Sequence, residues 1–186
     1  MSILEMSNVK YAYGKQPVLR GISAQFEQGK MYAIRGPSRC GKTTLLSLLG
    51  GLDSPSSGQI LYQGEDIAKS GLAGHRCGHV AFIFQSYNLI DYLTPMENVA
   101  MTSNQQPLPI LERLGLTAME TKRNVLKLSG GQRQVAIAHA LASGAQIFLA
   151  DEPTGNLDEE TAAEITAILK RERPQIRKVR CGCYPL

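Results

Sequence analysis

The segment Gly36-Pro-Ser-Arg-Cys-Gly-Lys-Thr-Thr44 lies between a compact apolar run at 31–34 and four leucines at helical spacing, Leu45, Leu46, Leu48 and Leu49. A buried strand that turns through two glycines directly into a helix is a narrow structural demand. The pattern Gly36-x-x-x-x-Gly41-Lys42-Thr43 is the P-loop, and it stands in the context that pattern requires. Its glycines let the backbone fold into a nest of N–H groups suited to phosphate oxygens. The N-terminus of the following helix adds free donors and a favourable dipole. Lys42 is then expected to reach the β- and γ-phosphates of a nucleotide, and the Thr43 hydroxyl to coordinate Mg²⁺.

Around this loop the chain reads as strands alternating with helices. Residues 3–13 and 18–26 are strand-like runs broken by Gly14, Gly21 and Gly29. Turn chemistry at Asp53-Ser-Pro-Ser-Ser-Gly58 precedes a strand at 59–62, and 80–85 reads as a buried strand. Pro95, Pro107 and Pro109 punctuate 86–128 and point to a smaller helical lobe. An amphipathic helix at 132–142, a short buried strand at 147–150 and a helix at 159–169 complete the pattern. The alternation predicts an α/β fold with a largely parallel core sheet.

Two further motifs carry chemistry. The apolar run Ile147-Phe-Leu-Ala ends in Asp151-Glu152, and a strand there would deliver Asp151 to the Mg²⁺ end of the P-loop, with Glu152 placed to polarise an attacking water. Leu128-Ser-Gly-Gly-Gln132 precedes the helix at 132–142. Ser129 is expected to cap that helix, with Gly130 and Gly131 leaving N–H groups uncovered for an anion.

With these motifs in this order, residues 1–169 resemble the ATP-binding subunit of an ABC transporter. The resemblance implies a P-loop NTPase with a mainly parallel core sheet, an N-terminal antiparallel β subdomain and a helical lobe at about 86–135. It makes Leu128–Gln132 the signature motif, residues 147–151 the Walker B strand, Gln85 the Q-loop glutamine and Asn156-Leu157-Asp158 the D-loop. Glu152 and Gln85 become the catalytic residues, and Thr43, Gln85 and Asp151 the metal site. Nucleotide contacts fall to Tyr13, which matches an adenine-stacking aromatic, to Gly36, Ser38, Cys40, Gly41, Lys42, Thr43 and Thr44, and to Ser129, Gly130, Gly131 and Gln132. ATP and Mg²⁺ are the expected cofactors. Two subunits would close head to tail over ATP, and the lobe would touch a membrane permease at the inner face of the cell membrane. The stretches Gly50-Gly-Leu-Asp-Ser-Pro-Ser-Ser-Gly58, Asn88-Leu-Ile-Asp-Tyr-Leu-Thr-Pro-Met-Glu-Asn-Val99 and Asp151-Glu-Pro-Thr-Gly-Asn-Leu-Asp158 are similar to bacterial ATPases serving lipoprotein-release, macrolide or antimicrobial-peptide exporters.

The chain departs from that family's pattern at four places. Arg39 stands where the P-loop usually has glycine, at a cost of about 1 kcal/mol or more if the backbone there is left-handed. Arg35 occupies a strand position that usually packs inside. After Gln132 the polar run is one residue short, which rotates the helix by ~100° relative to the signature loop. The fourth is the tail. Residues 1–169 hold 14 basic and 15 acidic side chains, and 170–186 hold six basic and one acidic, so the formal charge of +4 belongs to the tail. Codons that permit this tail, shifted by one base, read Gly-Lys-Cys-Val-Val-Val-Val-Thr-His, the strand and histidine the family carries there. The expectation is therefore a domain at 1–169 whose last strands are missing, followed by an aberrant basic tail at 170–186 that is truncated or frameshifted.

The functional alternative is a degenerate nucleotide-binding remnant with little or no ATPase activity. A DNA-repair or translation ATPase is disfavoured, because no coiled-coil insertion or second cassette is present. With 43% apolar and 19% charged residues the chain is globular. The near-neutral body argues against a nucleic-acid partner, no apolar run approaches the ~20 residues of a membrane span, and four scattered cysteines are no disulfide framework. A cytoplasmic location is the default. The trio His75, Cys77 and His79 is too sparse for a metal cluster.

Overall fold

The computed structural model describes residues 2–84, 86–102, 106–128 and 130–151 and the backbone of 179–184. These fall into two compact units, residues 1–82 with 146–186, and residues 83–145.

The first unit holds two sheets. Strands β1 (Ser2–Tyr13) and β2 (Gln16–Glu27) form a long antiparallel hairpin, extended by β4 (Ser57–Tyr62) and β5 (Glu65–Asp66) in the order β2-β1-β4-β5. Ile3, Leu4, Met6, Val9 and Tyr11 of β1 are buried, a face made continuous by register shifts between Met6 and Val9. The second sheet runs β3 (Met31–Arg35), β8 (Val179–Tyr184), β7 (Ile147–Asp151) and β6 (Val80–Ile83). Its β3–β8 and β8–β7 pairs are parallel. Helix α1 (Lys42–Leu49) supplies Leu45, Leu46, Leu48 and Leu49 to a core shared with Leu4, Phe26, Ile60, Ile147 and Leu149. Short helices α2 (Ile67–Ser70) and α3 (Leu72–His79) lead into β6.

Register decides where the chemistry sits. Across β8, Cys183 pairs with Ile34 on one side and with Asp151 on the other. Asp151 therefore ends its strand level with the point where β3 runs out into the P-loop. This α/β plan is the expected one, with one qualification. The sheet was expected to lack its last strands, and the backbone of Val179–Tyr184, inside the basic tail, supplies β8. Only a short alternation of Val179, Cys181 and Cys183 with Arg180 and Gly182 marks it in the sequence, and a strand between two parallel neighbours is held by its ladder as well as by its side chains. Arg35 is exposed, so the guanidinium expected to face inward does not. The helix expected at 159–169 lies outside the described residues.

The second unit is helical. In α4 (Pro95–Ala100) a full capping box operates: Thr94 Oγ1 accepts from Glu97 N at 3.2 Å, and the Glu97 carboxylate accepts from Thr94 N at 2.8 Å. Asn98, buried, staples the preceding loop through Ile90 N and O at 2.8 and 3.2 Å. Helix α5 (Pro107–Arg113) buries Ile110 and Leu111. Helix α6 (Gln132–Ala142) buries Val135, Ala136, Ile137, Ala138 and Ala140. These bounds match the residues whose spacing predicts a helix.

Candidate nucleotide site

The P-loop backbone closes a turn with Cys40 N donating to Pro37 O at 3.4 Å, then enters α1 through Gly41. Gly41 takes a φ of 94°, and a Cβ on it would lie 2.8 Å from Val18 Cγ1, so both conformation and packing require glycine. Helix α1 has no side-chain cap at its N-terminus. Its first helical bond runs from Leu45 N to Gly41 O at 2.9 Å, which leaves the N–H groups of Lys42, Thr43 and Thr44 outside the ladder. That is the anion-binding end the sequence calls for.

Two side chains are already set. Lys42 Nζ donates to Gly36 O at 2.9 Å and to Pro37 O at 3.0 Å, arching over the loop whose phosphate it would meet. Thr43 Oγ1 donates to Asp151 Oδ2 at 2.8 Å, joining positions 108 residues apart. A hydroxyl and a carboxylate oxygen side by side are hard donors, the chemistry that suits a small divalent cation. Arg39 stands in the loop at φ 63°, the left-handed conformation in which its Cβ is a liability, and its side chain is exposed. Gly36 and Cys40 touch closely enough that a Cβ on Gly36 would lie 2.6 Å from Cys40 Sγ. Ser38 and Cys40 are exposed and Thr44 half-buried.

Tyr13 ends β1 with its ring 60% exposed and edge-on to Tyr11 at 5.0 Å, a ring free to take a planar partner. Tyr11 itself is buried, and its hydroxyl donates to the Asp53 carboxylate. That bond pushes the phenol up to about 12 and, with a second bond from Ser54 N, holds the Asp53 carboxyl below its usual range.

In the second unit the signature loop differs from its expected form. The N-cap of α6 is Gly131, in helical conformation and without a side-chain cap bond, so the capping position lies two residues beyond Ser129. Gly131 can serve because no side chain there competes for the first-turn N–H groups. Gln132 Nε2 donates to Val125 O at 3.3 Å, which ties the helix start to the preceding loop. Arg133, buried, lies over the Tyr87 ring at 5.4 Å. Gln85, Ser129, Glu152 and the D-loop lie outside the described residues.

The chain thus brings together Gly36, Lys42, Thr43 and Asp151 in one unit and places Gly130, Gly131 and Gln132 in the other. His75, which sequence reasoning weighed only as part of a metal trio, and Arg76, which it did not single out, meet the chain at the far end of α1. His75 Nε2 is 3.0 Å from Leu49 O, and Arg76 Nη1 donates to Gly51 O at 2.7 Å. The only sequence signal was the basic pair itself. No group of three or more metal-binding side chains occurs among the described residues.

The family model for ABC transporters matches residues 19–155. An ABC transporter ATP-binding protein of Bacillus subtilis, YclH, is 41% identical, with 91% of this chain and 81% of that protein covered. The macrolide export ATP-binding/permease protein MacB 2 of Aeromonas hydrophila is 44% identical over 89% of this chain, which spans 28% of that longer protein. Among solved structures, a dimeric bacterial ABC transporter cassette superposes with a TM-score of 0.85 at 30% identity, covering 97% of this chain and 87% of its own. A dimeric ATP-binding cassette in a post-hydrolysis state, bound to ADP and Pi, matches equally well at 29% identity.

Proposed function

We propose, since this chain belongs to the ABC transporter family of ATP-binding domains, that it is the ATP-binding and ATP-hydrolysing subunit that powers a membrane exporter. The observation that carries the reading is the 2.8 Å bond between Thr43 and Asp151, which assembles both halves of a phosphate and cation site from distant parts of the sequence.

Each residue has a defined task. The first-turn N–H groups of α1 bind phosphate oxygens. Lys42, with three donors and two of them on the Gly36 and Pro37 carbonyls, places its positive charge at the outer phosphates. Thr43 and Asp151 would hold Mg²⁺, whose charge neutralises the phosphate oxygens during transfer. By the family resemblance Glu152 would be the carboxylate that orients the attacking water, and Gln85 the residue that serves the metal and water site. Tyr13 stacks on the base. The bare helix start at Gly130–Gln132 completes the cage of a second subunit, so turnover requires two chains, as the dimeric cassettes of the same fold suggest. A membrane permease is the remaining partner, consistent with the fused ATP-binding/permease architecture of MacB 2. Among the described residues no helix is long and apolar enough to cross a membrane.

A remnant with little turnover is the second reading, and Arg39 in left-handed backbone favours it. Phosphate release from MgATP, followed against protein concentration, separates the two. An exporter ATPase shows turnover that rises more steeply than linearly with concentration and vanishes in Lys42→Ala. ATP binding without turnover selects the remnant. Absence of both overturns the nucleotide reading.

A further inference from the structure

Helix α1 has only eight residues, and a helix that short has little intrinsic stability. Its N-terminal end is where phosphate is read, so whatever holds its other end also holds the phosphate site. Four C-terminal carbonyls of any helix need partners outside the ladder. Here the chain answers first with a Schellman turn: Gly51 N donates to Leu48 O at 3.1 Å, and Leu52 N to Ser47 O at 2.9 Å. Gly51 takes the left-handed φ of 68° that this turn demands. The turn does not engage Leu49 O, the last helical carbonyl, or Gly51 O within the turn itself, and α1 has no basic residue in its last turn.

Both carbonyls are met from α3. A carbonyl only accepts, so His75 Nε2, 3.0 Å from Leu49 O, carries the proton and donates. Arg76 Nη1 donates to Gly51 O at 2.7 Å. Arg76 also puts a positive charge at the negative end of the α1 dipole. The approach is close: a Cβ on Gly51 would meet Leu72 O at 3.0 Å and His75 Cδ2 at 3.4 Å, and one on Gly50 would overlap the Phe82 ring. The segment from α3 into β6 is therefore packed hard against the end of the P-loop helix.

We propose that His75 and Arg76 are positioning residues for the nucleotide site, acting through α1 by gripping its C-terminal carbonyls while Thr43 and Asp151 hold its other end. This rests on the nucleotide reading above. His75 works as a neutral donor. Its Nδ1 is buried without a hydrogen-bond partner among the described residues, and the groups around the ring are Tyr62 of β4 at 5.4 Å, His79 of α3 at 5.8 Å and the Arg76 guanidinium next in sequence. None offers a carboxylate to a second ring proton. Glu65 of β5 lines the same cavity as His75 and His79. Acid therefore charges a buried ring: burial lowers the His75 pKa, while the Leu49 bond, which the protonated ring would keep, opposes that shift.

The test uses the full chain and four variants: Arg76→Met, Arg76→Lys, His75→Leu and His75→Gln. Two quantities are measured, the MgATP dissociation constant and amide exchange across α1 set against exchange in β1 and β2. Arg76→Met and His75→Leu are expected to speed exchange of α1 amides about tenfold, with β1 and β2 unchanged, and to weaken MgATP binding about fivefold. Lysine at 76 and glutamine at 75 keep a donor and restore most of both. His75→Gln also flattens any fall in affinity as pH drops below about 6.5. Unchanged α1 exchange in Arg76→Met and His75→Leu overturns the proposal, as does a uniform rise across α1, β1 and β2, which would mark a merely structural role. A parent chain that fails to bind MgATP overturns the nucleotide reading instead, and the α1 exchange result then judges the grip by itself.

Discussion

The loop entering α1 and the loop entering α6 both bring glycine to a helix start that has no side-chain cap, yet they are held by different means. At α1 the cap is left-handed Gly41, locked by packing against Val18 and Leu19. The two residues after it are committed to polar partners, Lys42 to loop carbonyls and Thr43 to Asp151. At α6 the cap is Gly131 in ordinary helical conformation, where an added Cβ would lie 3.3 Å from the Leu128 side chain. The side chains that follow turn to their own surroundings, Gln132 to Val125 O and Arg133 over Tyr87. The first loop carries its own cation, hydroxyl and carboxylate. The second, among its described residues, offers the N–H groups of a helix start without a side-chain cap, which is what a loop needs if it completes a site borne by another chain.

The sharpest way to break this contrast is to remove the cation. Lys42→Ala is expected to raise the MgATP dissociation constant about 100-fold, the worth of a charge-assisted contact near 3 kcal/mol. Gln132→Ala should alter it less than twofold in dilute protein, where one chain stands alone. Isothermal calorimetry reads both. Equal losses from the two substitutions would erase the distinction between a self-contained loop and a completing one.

Backbone gives the next largest effect. Gly41→Ala must force a Cβ into left-handed conformation and against Val18, for a combined cost of about 3 kcal/mol. Gly131→Ala meets only the flexible Leu128 side chain at 3.3 Å and needs no change of φ, so less than about 1 kcal/mol is expected. Urea denaturation of both variants would contradict the contrast if their midpoints fell together.

The same difference explains what the sequence disclosed. A P-loop is legible because each of its residues is constrained by local geometry and by chemistry at once, and the bounds of α6 are legible because Val135, Ile137 and Ala138 repeat at helical spacing on a buried face. What stayed hidden depends on partners far along the chain. Nothing local marks Tyr11, rather than Tyr13, as the tyrosine that bonds Asp53. Nor does anything local tell His75 and Arg76 apart from a solvated basic pair until α3 is seen against Leu49 and Gly51. Strand β8 was all but hidden for the same reason, since its place is defined by β3 and β7. Ser129 looked like a cap because serine caps often, and the cap lies two residues later, at Gly131.

Acid should act on both units at once. Burial lowers the pKa of His75 in the first unit and of His139 in the second. A histidine whose folded pKa is depressed stays neutral while the unfolded chain takes up its proton, so the unfolded state binds more protons below about pH 6.5. Stability is then full above that pH and falls as pH drops, by at most about 1.4 kcal/mol per pH unit for one proton. Urea midpoints at pH 7.5 and 5.5 check the sign. His75→Gln and His139→Gln should each remove part of the difference, and a midpoint that rises in acid would refute the assignment.

The smallest effect belongs to Arg39 and bears most directly on whether the chain turns over ATP. Its φ of 63° costs about 1 kcal/mol relative to glycine, and that cost is present in the free protein as well as in the complex. Affinity therefore suffers only to the extent that phosphate binding demands the left-handed nest more strictly than the empty loop does. Against this, the exposed guanidinium adds a positive charge near the phosphates, where solvent leaves it worth a few tenths of a kcal/mol. The steric cost outweighs the charge, so Arg39→Gly is expected to tighten MgATP binding about threefold at moderate salt. Raising the salt to 1 M screens the charge and should widen the gap between the two proteins. A dissociation constant unchanged by Arg39→Gly at either salt would remove Arg39 from any account of weakened nucleotide binding, and with it the observation that favours an idle remnant over a working ATPase.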